Sequence, residues 1–396
     1  VKLLSVEDAR ARMLAEIAPG PIEAVALDQA IGRALAEPVL ARRDQPPFPA
    51  SAMDGWAVRS ADTPGALRII GESAAGRGFE GAVGPGQAVR IFTGAAVPAG
   101  ADAVVIQEDA ERDGDLVRVP AVEAGVHVRA AGGDFRAGQV LLDAGVRLDP
   151  WRIALAAAAG LAEVQVRVRP RIALLATGEE IVEAPAEPGP FQIYDSAAPG
   201  LAALARSWGA EVVRARPLAD DLDATVEALR TADAELIVTI GGASVGDHDL
   251  VRAAGEALGL SLRVASVAVR PGKPTFFGVL ADGRRMLGLP GNPASAFVCA
   301  EMFLRPILMA AQGASPEPRT LTARLAAPLP ANGPREHWMR AQLEDATDGL
   351  AVHPLRDQDS SLITVFAAAD ALLRRPAGAP AIEAGAPVQV LPLSRA

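Results

Sequence analysis

At 396 residues, half of them hydrophobic, the chain is long enough for two to four domains, and its net charge of −10 leaves no basic face for nucleic acid. No apolar run reaches the roughly 20 residues of a membrane helix. No signal peptide is expected, because Val1-Lys2-Leu3-Leu4 runs straight into polar Ser5-Val6-Glu7-Asp8. The lone Cys299 excludes an internal disulfide framework, fits a reducing cytoplasm and, among apolar neighbours, reads as a packing residue.

Ser5-Val6-Glu7-Asp8 is a capping box opening a helix over 5–17. With further helical stretches expected at 22–36 and 150–159, it belongs to a connecting domain of residues 1–48 and 137–169. Residues 49–136 are rich in Gly and Pro with short apolar runs (LRII, AVRIF, ADAVVI, LVRV) and read as a β domain. From 170 to 316 strand and helix alternate. RIALLATG is a strand, Asp195 or Ser196 caps a helix to Trp208, and AEVVRARP is the next strand. A helix over 222–232 is capped by Asp220 or Asp221, and capping is the reading taken for Asp220. LIVTI, apolar without alternation, is a strand covered on both faces. A helix from Asp249 to Leu258, a strand LRVASVAV, the pair TFFGVL and RMLGL, and a helix from Asn292-Pro293 through Leu304 complete the order. This pattern predicts a doubly wound, mostly parallel sheet with right-handed crossovers. TLTARL, HWMRAQL, LITVF and PVQVLPL make 317–396 a second β domain.

The parallel strands end in loops that carry chemistry: Thr177-Gly178-Glu179-Glu180, Asp220-Asp221, Gly241-Gly242-Ala243-Ser244-Val245-Gly246-Asp247-His248-Asp249, Arg270-Pro271-Gly272-Lys273-Pro274 and Pro290-Gly291-Asn292-Pro293-Ala294-Ser295. At the carboxyl edge of an open α/β sheet such loops converge on one pocket. Carboxylates beside cations there suit a metal and an anion together, as in a phosphate ester bound with Mg²⁺. Capping alone would explain Asp195 and Asp249, although the glycines before Asp249 weigh toward function. Asn292 caps a helix whose N-terminus is itself an anion site. Glu180 is balanced between surface residue and ligand, and His248 reads as a solvated loop residue. Among 38 basic residues other than histidine only Lys2 and Lys273 are lysines, so Lys273, held in a rigid Pro-Gly frame, reads as functional. Outside the sheet, the turns around Asp54 and Thr93 would be structural if each stood alone.

SAMDGWA, IFTGAAVPAGADAVVIQED, GGDF, ATGEEI, IYDS, GGASVGDHD, RPGKP and LPGNPAS occur in the order seen in the molybdopterin molybdenumtransferase family, MoeA and the gephyrin E domain. Each motif is weak alone; in sequence they are specific, and the resemblance spans nearly the whole chain. It implies an elongated α/β multidomain homodimer, with a central MogA-like domain flanked by β-rich domains and active sites between protomers. The implied activity is Mg²⁺-dependent insertion of molybdate into adenylylated molybdopterin with release of AMP, in the cytoplasm. A MogA-like adenylyltransferase and molybdoenzyme maturation proteins are the implied partners, with no role for a membrane.

By that resemblance Arg270, Lys273, Ser295, Arg340 and Ser360 or Ser361 surround the molybdate. Ser244, Asp249, Glu179 or Glu180 and Asp195 line the adenylate and magnesium side, and Asp54, Thr93 and Asp134 come from the β domain, with Asp134 a further metal candidate. The chain departs from the family pattern at Ala197, at Arg270, at Pro49-Ala50 and over 357–361. The alternative reading is a noncatalytic paralogue that binds pterin or serves as a scaffold. An adenylyltransferase of the MogA type is disfavoured because it would not need two β-rich flanks.

Overall fold

Ser5 opens the first helix, Val6–Leu14, by accepting the Asp8 N–H at 3.0 Å in this computed structural model, which describes residues 3–214, 217–242, 250–347 and 349–393. Ser244, His248 and Asp249 lie outside the described residues. Val6, Ala9 and Met13 form the buried stripe of that helix and join the central core. The helix expected at 22–36 does not form. Ile22–Ala26 is instead a strand, antiparallel to Glu163–Arg167, followed by a 3₁₀ turn at Leu27–Gln29. A partner strand far along the chain overrides the local helical preference. The helix Pro150–Ala158 forms as expected, with Asp149 accepting the Arg152 N–H at 2.9 Å and Pro150 in the first turn. These pieces enclose their own core around Leu35, Leu148, Ala156 and Val166.

The Gly- and Pro-rich region folds into a six-stranded sheet in the order Ala103–Ile106, Gly55–Val58, Gln87–Ile91, Gly65–Ser73, Leu116–Val119, Glu111–Asp113. Gly55–Val58 is buried on both faces, Trp56 and Val58 packing on one side and Ala57 on the other. A Cβ at Gly55 would meet the Val105 carbonyl oxygen at 1.9 Å, so only glycine permits the close strand contact that fixes neighbouring Asp54.

The central sheet runs Glu211–Arg214, Arg171–Ala176, Leu236–Ile240, Arg285–Leu289, Phe276–Val279, Ser261–Val264. Its first pairings are parallel, and the last two are antiparallel. LRVASVAV is not one strand. Ser261–Val264 ends in the central sheet, while Val269–Arg270 joins the C-terminal sheet beside Glu336–Ala346. Between them Ala268 donates to the Leu4 carbonyl and Val267 to that of Lys273, so the segment crosses from one sheet to the next.

The helix from Pro293 runs on to Ala311 rather than stopping at Leu304. A π turn over Ala300–Leu304 precedes Pro306, widening the helix where proline would otherwise clash with the preceding turn. By length and composition this helix could cross a bilayer, yet 83% of its most apolar window is buried inside the protein.

In the C-terminal sheet, Ala371–Arg375 pairs both with Pro387–Pro392 and back with Glu336–Ala346, closing a ring through Gly349–Pro354 and Leu321–Leu325. LITVF, expected as a strand, lies in the helix Ile363–Ala368 instead. Phe366 packs on Phe297 with ring centroids 5.3 Å apart, so contact with the long helix decides its conformation.

Candidate functional site

The central strands end at a common cavity of about 660 Å³. Its rim includes Gly178, Glu180, Asp195, Asp220, Gly241, Gly242, Asn292 and Ser361, so the loops after Arg171–Ala176, Leu236–Ile240 and Arg285–Leu289 do converge. Gly241 and Gly242 have φ of 88° and 60°. A Cβ at Gly241 would lie 2.8 Å from the Thr177 carbonyl oxygen, and one at Gly242 2.3 Å from Val251. The turn therefore brings backbone to the cavity wall where any side chain would clash with Thr177 or Val251.

Asp195 has two roles. Its Oδ1 accepts the Ala198 N–H at 2.9 Å and so caps the helix Ala197–Ser207. Oδ2 is buried without a hydrogen-bond partner, with the Arg214 guanidinium 3.5 Å away. Glu180 folds back beside Gly178: a Cβ there would touch its Oε2 at 2.5 Å. Asp220 also lines the cavity, whereas the cap of Leu222–Thr231 is Asp221, whose Oδ1 accepts the Ala224 N–H at 2.7 Å. Capping is therefore the wrong reading of Asp220. Glu179 does not line the cavity, and its carbonyl is held by Gln192 Nε2 at 2.9 Å.

A turn from the C-terminal domain closes one side. Asn292 makes no side-chain cap; its Nδ2 donates to Ser360 Oγ at 2.9 Å, and Ala294 N–H donates to the Ser360 carbonyl at 3.1 Å. Asp359 Oδ1 accepts the N–H and hydroxyl of Ser361, at 2.8 and 2.7 Å, and those bonds hold its carboxyl below the usual range. Arg340 is fully buried and donates through Nη2 to the Asp359 carbonyl at 2.9 Å, while its Nε and Nη1 are without partners. Ser295 is buried in the first turn of the long helix.

The RPGKP loop is set by Gly272, where a Cβ would strike Cys299 Sγ at 2.1 Å. Burial pushes that thiol up to about 12, so Cys299 is an inert packing residue. Pro274 reaches the cavity; Lys273 beside it is exposed and does not line it. Arg270 turns to a different cavity. In the β domain Asp54 Oδ1 accepts both the N–H and the hydroxyl of Thr93 at 2.7 Å, which lowers its pKa. Asp54, Thr93 and the exposed Asp134 do not line the central cavity within one chain.

Among the described residues no group of three or more His, Cys, Asp or Glu is placed to hold a metal. Mg²⁺ does not demand such a cage, since one or two carboxylates with phosphate oxygens and water suffice. Asp195 Oδ2, which faces Arg214 but makes no hydrogen bond, stands with Glu180 and Asp220 on the same rim and fits that requirement. Sequence reasoning missed Tyr194 and Ile193 on the cavity wall, although Tyr194 is the only tyrosine in the chain. It also missed Arg214, which no local pattern ties to Asp195.

Three family models match the chain: the MoeA N-terminal region (domains I and II) over residues 4–160, a probable molybdopterin binding domain over 173–310, and the MoeA C-terminal region (domain IV) over 322–393. The chain is 36% identical over 390 residues to the molybdopterin molybdenumtransferase of a Nostoc species, covering 94% of this chain and 88% of the relative. To that of Bacillus subtilis it is 35% identical over 391 residues, with 94% and 90% covered. Two solved structures of the molybdopterin biosynthesis MoeA protein from Pyrococcus horikoshii match with TM-scores of 0.86 and 0.82, at 27% and 30% identity. Both matches cover 99% of this chain, and 100% and 99% of the solved chains.

Proposed function

This chain belongs to the MoeA family, and from that premise we propose that it is a molybdopterin molybdenumtransferase, inserting molybdate into adenylylated molybdopterin and releasing AMP. The observation that carries the reading is the meeting of the cavity rim with the turn anchored on Arg340: carboxylates and glycine backbone stand on one side, and Ser361, on a turn held from beneath by the buried Arg340 guanidinium, stands on the other. A substrate with a phosphoanhydride and a tetrahedral oxyanion needs both. Gly241 and Gly242 let the backbone approach phosphate oxygens. Asn292 stands at the N-terminus of the long helix, a helix end that favours negative charge, with the Ser360 turn against it. By the family resemblance Lys273, next to the cavity-lining Pro274, and Arg340, beneath the turn that carries Ser361, would hold and orient molybdate.

Asp195, Glu180 and Asp220 would hold Mg²⁺ together with the phosphates. When bound, the ion neutralises charge that builds on the leaving AMP. Homodimerisation is part of the proposal. Trp151, Ile31 and the paired Leu40 and Val140 are exposed at 83, 51, 48 and 49% on the connecting domain, apolar side chains that a second copy would cover. A partner would then supply Asp54 and Thr93, which this cavity lacks in one chain. The buried free thiol suits the cytoplasm. Partners of the MogA type and molybdoenzyme maturation proteins follow from the same reading.

A noncatalytic pterin-binding or scaffold role is favoured by one observation only, the methyl group of Ala197 on the cavity wall. AMP release from adenylylated molybdopterin, measured with and without molybdate, separates the two. Molybdate-dependent release is expected; pterin binding without it would leave the scaffold.

A further inference from the structure

Arg90 stands opposite Trp56 where Gln87–Ile91 pairs antiparallel with Gly55–Val58. Its guanidinium lies over two rings at once, 5.3 Å from the centroid of Trp56 and 4.8 Å from that of Phe92. Glu72, level with Arg90 on the next strand, pairs with Arg77 at 3.8 Å instead. The half-buried guanidinium is therefore held by aromatic faces rather than by a carboxylate.

Stacking alone would need no hydrogen bond, yet both ends of the fork reach the segment that begins at Asp54. Nη1 donates to the Gly55 carbonyl at 3.1 Å and Nη2 to Gln107 Oε1 at 2.7 Å. Gln107 in turn donates its own N–H to the Asp54 carbonyl at 3.0 Å. The carbonyls of Asp54 and Gly55 are thus both fixed, the first through Gln107 and the second by Arg90 directly. The strand that carries Arg90 also leads into Thr93, whose N–H and hydroxyl Asp54 Oδ1 accepts. Asp54 Oδ2 accepts no hydrogen bond among the described residues.

We propose that Arg90 is a positioning residue for the transfer reaction: clamped between Trp56 and Phe92, it fixes the main chain at Asp54 so that Oδ1 stays on Thr93 and Oδ2 is presented to the site that a second copy completes. The role given to Asp54 rests on the transferase reading; the clamp does not. Arginine suits the task because its planar fork stacks on rings while two N–H groups reach separate acceptors, which an ammonium group does not reproduce. A displacement of a reacting group by about 1 Å can cost about a hundredfold in rate, so a carboxylate on a turn gains from such an anchor. The Thr93 N–H and then its hydroxyl hold the Asp54 carboxyl below the usual range against burial, and the Arg90 charge adds to them.

Hydrogen exchange of the full chain, read at the Thr93 amide, tests the clamp without turnover, because Asp54 accepts that N–H. In Arg90→Leu this amide should exchange roughly tenfold faster, while those of Ala57 and Val104 inside the same sheet keep wild-type rates. Steady-state AMP release should show kcat lower by about tenfold with the KM for molybdate little changed, since Arg90 acts through Asp54 and not on the oxyanion. Gln107→Leu, a surface change that removes one end of the clamp, should move both readouts the same way by a smaller factor, and it decides the matter should Arg90→Leu fail to fold. Wild-type exchange at Thr93 in the folded variants overturns the clamp, and faster exchange with unaltered kcat overturns its part in the reaction. A wild-type chain that releases no AMP fails the transferase reading instead, and the exchange rates still judge the clamp.

Discussion

Asn292 Nδ2 donates to Ser360 Oγ at 2.9 Å, joining the N-terminus of the central domain's long helix to a turn of the C-terminal domain. Ser360→Ala removes that clasp without removing the residue that starts the helix. One hydrogen bond is worth about 1 kcal/mol, or about fivefold. The expected result is a KM for molybdate about fivefold higher with kcat little changed. A lower kcat at unchanged KM would mean that Ser360 acts in the chemical step and not in closing the cavity.

Lys273→Ala should cut molybdate-dependent AMP release severely and leave Tm nearly unaltered, because its side chain is exposed and supports no core. Loss of a charge-assisted contact costs about one to two decades in rate or affinity. Wild-type turnover in steady-state assays would remove Lys273 from the site.

Asp195→Asn separates capping from metal binding, since Asn caps a helix about as well as Asp. If Oδ2, which faces Arg214 but makes no hydrogen bond, contributes to Mg²⁺, the Mg²⁺ needed for half-maximal AMP release rises while the helix cap holds. An identical Mg²⁺ titration would leave Asp195 as a cap.

How far such roles could be read from the sequence depended on distance along the chain. Ser5 was legible because a cap bonds three residues away. The loops at the carboxyl edge were legible because alternation of strand and helix dictates where they meet. Residues 22–36 and LITVF were misread because their conformation depends on partners remote in sequence, Glu163–Arg167 and Phe297. Asp220 was misassigned by one residue, since both neighbouring aspartates could cap. The pairing of Arg270 with His337 was invisible for the same reason as the strand that carries it: LRVASVAV changes sheets midway, and nothing local records the change.

Two buried groups pull stability in opposite directions with pH. Burial raises Glu301 from 4.5 to about 7, with Arg305 opposing, and it lowers His337 from 6.5 to about 4. Between pH 4.5 and 7 the folded state keeps the Glu301 proton that the unfolded chain releases, so stability falls as pH rises. Between 6.5 and 4 the unfolded chain protonates His337 and the fold does not, so stability falls as pH drops. Each effect amounts to about 3 kcal/mol at its limit. Glu301→Gln should therefore raise Tm at pH 8, matter little at pH 4.5, and expose the acid sensitivity due to His337. Parallel Tm profiles of mutant and wild type from pH 4.5 to 8 would show that Glu301 ionises freely.

Asp54 and Lys273 belong to different domains, and Asp54 does not line the central cavity of its own chain. If the working site is completed by a partner, Asp54→Ala and Lys273→Ala homodimers will each be inactive. In a heterodimer, one composite site carries both lesions and the other carries none. Subunit exchange at equal concentrations makes half the dimers mixed, each with one intact site, so about a quarter of wild-type activity should return. Exchange is followed by differently tagged chains, with wild type paired to each mutant as a control. Persistent inactivity in confirmed heterodimers would place both residues in a site built from one chain, because each of the two sites would then carry one lesion and neither would be intact.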